Sequence, residues 1–177
     1  HLIDQFYKVQ SRSGNDSVIC ENLPILKVNA KGVSASIAEL KKEFHLSFEF
    51  GEVARRAAQG SETLCRVTGA SRGEVISIHD ATAGLGRESA LMASCGARVS
   101  ASERSLALYL LAKNALNRSS IHCDLFKKNS LDHEVQADVI YLDPMFPKSK
   151  KKAAVGREAL ILRAFAQQES TEEINQF

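Results

Sequence analysis

Val75-Ile76-Ser77-Ile78-His79-Asp80-Ala81-Thr82-Ala83-Gly84-Leu85-Gly86-Arg87 decides the fold of this chain. Its first residues form a short β-branched run that reads as a strand ending at Asp80. Gly84 and Gly86 then make a turn, and Arg87 to Cys95 reads as a helix stopped by Gly96. The alternation continues outward. Arg98 to Ser102 reads as a second strand ending at Glu103, and Leu106 to Leu116 is rich in Leu and Ala at helical spacing. A weaker third strand falls at Ser120 to Cys123, with Asp124 at its end, and a clear fourth spans Asp138 to Leu142 before Pro144. Ala153 to Gln168 has the pattern of an amphipathic helix. Strands alternating with helices predict an α/β fold, a doubly wound parallel sheet with helices on both faces. A complete sheet of this kind has more strands than these, so its C-terminal strands are expected to lie outside this chain.

Upstream of residue 74 the character differs. Ile25 to Val28 and Phe44 to Phe50 read as strands, the latter alternating at period two, and 53–68 reads as a helix re-started at Gly60-Ser61. The expected organisation is a small N-terminal α+β cap over 1–74 and a Rossmann-like domain over 75–177. At 177 residues the chain can bury a real core, and 44% hydrophobic with 25% charged residues is an ordinary globular composition. No apolar run is long enough to span a membrane as a helix. The formal charge of +2 is too small to name a partner, so any nucleic-acid role has to rest on local patches. Cys20, Cys65, Cys95 and Cys123 are scattered without metal-ligand spacing. They read as reduced thiols of a cytoplasmic protein, and no metal is expected. The start, His1-Leu2-Ile3, has neither Met nor a signal-peptide pattern, so either a fragment or a chain whose beginning is missing is expected.

Ligands of open α/β sheets bind at the carboxyl ends of strands, where glycines let the backbone approach. Asp80, Gly84 and Gly86 are therefore candidate binding residues. A dinucleotide turn would place a third glycine where Ser89 stands, and an acid at Asp80 would repel a pyrophosphate but suit a cationic ligand. This makes a nicotinamide oxidoreductase the weakest alternative. Glu103, about 20 residues beyond the glycines, is placed to accept hydrogen bonds from both hydroxyls of a ribose, and Asp124 to meet an adenine amino group. The D-x-x-x-G-x-G arrangement resembles motif I of the class I S-adenosylmethionine (SAM) methyltransferases, which implies SAM as cofactor.

Tyr141-Leu142-Asp143-Pro144-Met145-Phe146-Pro147 carries the second chemistry. It resembles the [DN]-P-P-[YFW] turn of methyltransferases that modify exocyclic amines of bases or amide nitrogens, with Met145 in place of the usual second proline. Such an amine is a poor nucleophile, so catalysis has to orient it. The Asp143 carboxylate and the Pro144 carbonyl can hold its two N–H bonds, and Phe146 can stack on an extruded base. Lys148, Lys150, Lys151 and Lys152 follow directly and could bind flanking phosphates, with Arg55 and Arg56 as weaker candidates. A charge run standing alone is more often a solvated loop. His79, His122 and His133 have no partner pattern for a catalytic dyad.

DATAGLGR, the Glu103-Arg104 pair and YLDPMFP with its lysine-rich continuation together resemble the ribosomal small subunit methyltransferase J family, over about residues 32 to 165. The resemblance implies a class I methyltransferase fold and methylation of the N2 amine of a guanine in 16S ribosomal RNA, free or in the small ribosomal subunit. It also implies SAM contacts from Arg87, Glu88, Glu103, Arg104, Asp124 and Asp143. Rival readings are an amino methyltransferase for adenine N6 or a protein glutamine, and a catalytically silent nucleoside-binding protein that docks RNA through its lysines. Oligomeric state stays open.

Overall fold

The structure is a computed structural model, and it describes residues 24–48, 63–70, 75–132, 134–144 and 156–166. A hairpin opens the described chain: β1 (Ile25–Asn29) pairs antiparallel with β2 (Gly32–Ser36). Gly32, at a φ of +118°, supplies the backbone conformation that closes this turn. The first strand is the one expected at Ile25 to Val28, and its ladder partner, Gly32–Ser36, was not read as a strand from the sequence. Gly-Val-Ser-Ala-Ser is a weak strand pattern in isolation, and it is the adjacency of the short turn that recruits it. Phe44 keeps a single bridge to Ala35, while Phe44, Leu46 and Phe48 are all buried, as their period-two spacing requires. Of the helix expected over 53–68, the described part is α1 (Thr63–Val67), which buries Cys65 and leaves Val67 exposed.

The main sheet contains β3 (Ser77–Asp80), β4 (Arg98–Glu103), β5 (Cys123–Lys127) and β6 (Val139–Tyr141), all parallel, in the order β5-β4-β3-β6. The order reverses between β3 and β6, which is the switch point where a doubly wound sheet opens a crevice. Helices α2 (Arg87–Ser94) and α3 (Leu106–Asn117) connect β3 to β4 and β4 to β5. Both crossovers step in the same direction, so right-handed connection puts both helices on one face, over Ile78, Val99, Ala101 and Leu125, all buried. The connection from β5 to β6 contains only a short 3-10 turn, Ser130–Asp132, among the described residues. Helix α4 (Arg157–Phe165) follows β6 and buries Ile161 and Phe165 against the rest of the molecule.

The hairpin shares this core. Leu26, Ala35, Phe44 and Phe48 belong to the same buried cluster as α2 and α3. Arg118 at the end of α3 donates to the Lys31 carbonyl at 2.6 Å, and Gly32 lies so close to Asn114 that an added Cβ would sit 2.8 Å from its Oδ1. Cys65 and Cys95, read from the sequence as free thiols, are joined as a disulfide with a Cα–Cα separation of 6.4 Å. The pair is 30 residues apart in sequence. Only the docking of α1 on the end of α2 brings them together, which spacing does not reveal. Cys123 is a free thiol, and burial pushes it up to about 12. No helix among the described residues is long and apolar enough to cross a membrane.

Candidate active site

Residues at the carboxyl ends of the four parallel strands line one open cleft. The turn after β3 provides one wall through Ala81, Thr82 and Gly84, and the end of β4 provides Ser102, Glu103 and Arg104. Lys128, Asn129 and Ser130 come from beyond β5, Asp143 from beyond β6, and Leu162 with Ala166 from α4 and its end. The glycines do what the spacing predicts. Gly84 and Gly86 take φ values of +55° and +71°, and Gly86 is the N-cap of α2. At Gly84 an added Cβ would stand 3.1 Å from the Leu162 Cδ2, so the absence of a side chain is also what lets α4 close on the turn.

Glu103 is the centre of the site. Its Oε2 accepts from the Gly84 N–H at 2.8 Å and its Oε1 from the Ser105 N–H at 2.5 Å. A carboxylate has about four acceptor positions, so two backbone bonds leave capacity toward the cleft. Burial pushes this carboxyl up to about 7 against the pull of those two bonds and of Arg104. Such a group is short of water and suited to a pair of ligand hydroxyls. The bond from Gly84 has a second consequence. The backbone N–H that a dinucleotide turn would aim at a phosphate is spent on an acid, which argues against a pyrophosphate here.

Asp80 lies under the cleft rather than on its wall. Its Oδ1 accepts from the Thr82 N–H at 3.0 Å, its Oδ2 accepts from the Ser89 hydroxyl, and only 1% of the residue is exposed. Burial pushes it up to about 6. It organises the turn from beneath. Arg87 also departs from expectation. Its guanidinium pairs with Glu158 of α4, donates to the Ser47 carbonyl at 3.1 Å and lies 5.5 Å over the Phe48 ring, so its side chain ties α4 and the cap to α2 rather than lining the cleft. Glu88 sits in the first turn of α2, also off the cleft wall.

Asp124 is the clearest correction. Strand β5 begins at Cys123, so Asp124 is its second residue, paired with Ser100, and faces a groove at the opposite end of the sheet. The residues that leave the carboxyl end of β5 are Lys128, Asn129 and Ser130, which the sequence reading missed. Leu125 and Phe126, two large apolar side chains in a row, are the signal that would have moved the strand downstream. Thr82 was missed as well, though it stands inside the quoted turn.

Asp143 is exposed at the mouth of the cleft with Pro144 beside it, half-buried. The Asp143 N–H donates to Thr82 Oγ1 at 2.7 Å. The structure therefore brings Gly84, Glu103, Arg104 and Asp143 together around one cleft. Phe146, Lys148, Lys150, Lys151, Lys152, Arg55 and Arg56 lie outside the described residues. His79 is buried in the sheet between the hydroxyls of Ser100 and Ser102, at 2.8 and 3.2 Å, and takes no part in the cleft. No cluster of three metal-ligating side chains occurs among the described residues.

A family model described as "Putative SAM-dependent methyltransferase" matches residues 20–173. The chain belongs to this family. Its relatives include proteins named ribosomal RNA small subunit methyltransferase J from Mannheimia succiniciproducens, 33% identical over 67% of this chain and 54% of the relative, and from Thioalkalivibrio sulfidiphilus, 31% identical over 78% and 62%. The likeness read from DATAGLGR and YLDPMFP is thereby borne out. The chain spans little more than half the length of such relatives. Among solved structures, a SAM-dependent methyltransferase from Neisseria gonorrhoeae superposes with a TM-score of 0.60 at 25% identity, covering 74% of this chain and 60% of that one. The Rossmann-like methyltransferase fold and SAM as the family's cofactor follow. The cleft fits that group: Glu103 offers acceptors for ribose hydroxyls, and the Gly84 N–H is bonded to that acid rather than open to a phosphate.

Proposed function

We propose that the protein transfers a methyl group from SAM to the exocyclic N2 amine of a guanine in 16S ribosomal RNA, free or within the small subunit, in the bacterial cytoplasm. The observation that carries this reading is the meeting of Glu103 and Asp143, a ribose-type acceptor and an amine-type acceptor, on one cleft. Bound SAM supplies an electrophilic methyl group. Glu103 holds the ribose end, with Gly84 and Arg104 beside it. The Asp143 carboxylate and the Pro144 carbonyl accept the two N–H bonds of the amine, which aims its lone pair and removes much of the orientational barrier. The nitrogen gains a methyl group and releases one proton, to water or to Asp143. Leu162 of α4 narrows the water access of the cleft. Phe146 stacks on the base, and Lys148, Lys150, Lys151 and Lys152 hold flanking phosphates. The support for ribosomal RNA as substrate is the naming of the sequence relatives together with the YLDPMFP resemblance.

The test is incubation of the purified protein with labelled SAM and small subunits from cells lacking the modification, followed by nucleoside chromatography. Label in N2-methylguanosine of 16S RNA is the expected result. Label in another nucleoside, or none, would overturn the assignment.

A further inference from the structure

We propose that Thr82 is a positioning residue that couples the cofactor turn to the acceptor turn, an inference that rests on the methyl-transfer reading above. Asp143 is exposed and stands two residues past the end of β6. Thr82 Oγ1 accepts its N–H at 2.7 Å. The Thr82 backbone is in turn fixed from below: its N–H donates to the buried Asp80 Oδ1, and Asp80 accepts from Ser89 in α2. The neighbouring residue closes the same joint, since the Ala81 N–H donates to the Tyr141 carbonyl at 3.0 Å and the Ala81 carbonyl accepts from Ser130 Oγ at 2.6 Å. Ala81 and Thr82 are thus the point where the ends of β3, β5 and β6 are joined. Thr is suited to the task because its branched Cβ restricts χ1, which holds the hydroxyl in one direction.

The consequence is geometric. The residue that orients the amine takes its backbone position from the turn that borders the cofactor, so donor and acceptor are referenced to one rigid joint. Loss of the hydroxyl frees the Asp143 backbone while leaving Gly84 and Glu103 where they are. A small misplacement at a reacting centre lowers turnover more than binding.

Thr82→Val removes the acceptor at almost constant shape, and Thr82→Ser keeps it. Thr82→Val is expected to lower kcat about tenfold or more with SAM affinity within about threefold, and Thr82→Ser to restore most of the loss. In 15N-labelled protein the Asp143 amide proton should move upfield in Thr82→Val and stay in place in Thr82→Ser. Unchanged kcat in Thr82→Val, or a loss carried entirely by SAM affinity, would overturn the proposal. If Thr82→Val does not fold, Thr82→Ala is read in the same way. Failure of the underlying reading looks different: the wild-type protein would then methylate no RNA, while the amide shift would still report on the Thr82 bond.

Discussion

The loop that leaves β3 and the loop that leaves β6 meet in one cleft, yet they are built differently. The first is buried and cross-braced: Asp80 spans Thr82 and Ser89, and Gly84 is tied to Glu103. The second, over its described residues, is exposed at Leu142 and Asp143, and the Asp143 N–H is bonded to Thr82. A cofactor site has to be ready before its ligand arrives, and holding two acids out of water is the expense of that readiness. An acceptor site has to leave its polar groups for a substrate amine, so exposure there is functional. The rigid side carries its own strain in two carboxyls that burial raises.

Breaking the open side should have the largest effect. Asp143→Ala should reduce turnover by about a hundredfold or more while SAM affinity stays within about tenfold, read by single-turnover kinetics beside calorimetry. Undiminished turnover would remove Asp143 from the chemistry. Breaking the rigid side should do the reverse. Glu103→Ala should weaken SAM binding by about ten- to a hundredfold, because a charge-assisted pair of hydrogen bonds is lost. Loss of turnover at saturating SAM with unchanged affinity would contradict the role given to Glu103.

Neutralising Lys150, Lys151 and Lys152 should weaken RNA binding and flatten its salt dependence by up to about one unit of slope per lost phosphate contact. An unaltered slope would return these lysines to an ordinary solvated loop. The smallest effect is on stability, and it sharpens the comparison by acting on the rigid side alone. Burial raises Asp80 to about 6 and Glu103 to about 7 in the folded protein, from their ordinary values of 3.8 and 4.5. The folded state therefore binds more protons between those limits. The stability these groups contribute is fully present below the unfolded values and is lost as pH rises through 6 and 7. The melting temperature should thus be higher at pH 6 than at pH 8, by several degrees at about 2–4 °C per kcal/mol, and Glu103→Gln should narrow the gap. SAM affinity should run the other way, falling on acidification as Glu103 loses an acceptor site. Glu43 and Asp138, both shifted downward by their partners, titrate below this window.

What the sequence made legible follows the same division. The turn after β3 could be read because glycines at positive φ and an acid at a strand end are chemically restrictive, and Glu103 followed from its distance to them. The strand holding Asp124 was placed too early. Ser119 to Asp124 is a run of small or polar residues around Ile121, and the one local sign that pairing with Val99 starts at Cys123 is the apolar pair Leu125-Phe126 beyond it. The contacts of Arg87 were out of sight for a tertiary reason: Glu158 lies 71 residues away in sequence and Ser47 lies 40 away. The Cys65–Cys95 disulfide and the Asp80 bond to Ser89 are likewise contacts that packing creates and spacing does not announce. Thr82 was in plain view within the turn, but its significance depends on where β6 lands beside β3.

The most direct test of the account is calorimetric titration of the purified protein, without RNA, with SAM and in parallel with NADH at pH 8. A cofactor side built in advance predicts saturable SAM binding, on the order of micromolar, with no NADH binding and with loss of the signal in Glu103→Ala. Absence of SAM binding by the protein alone, or NADH binding in its place, would contradict it.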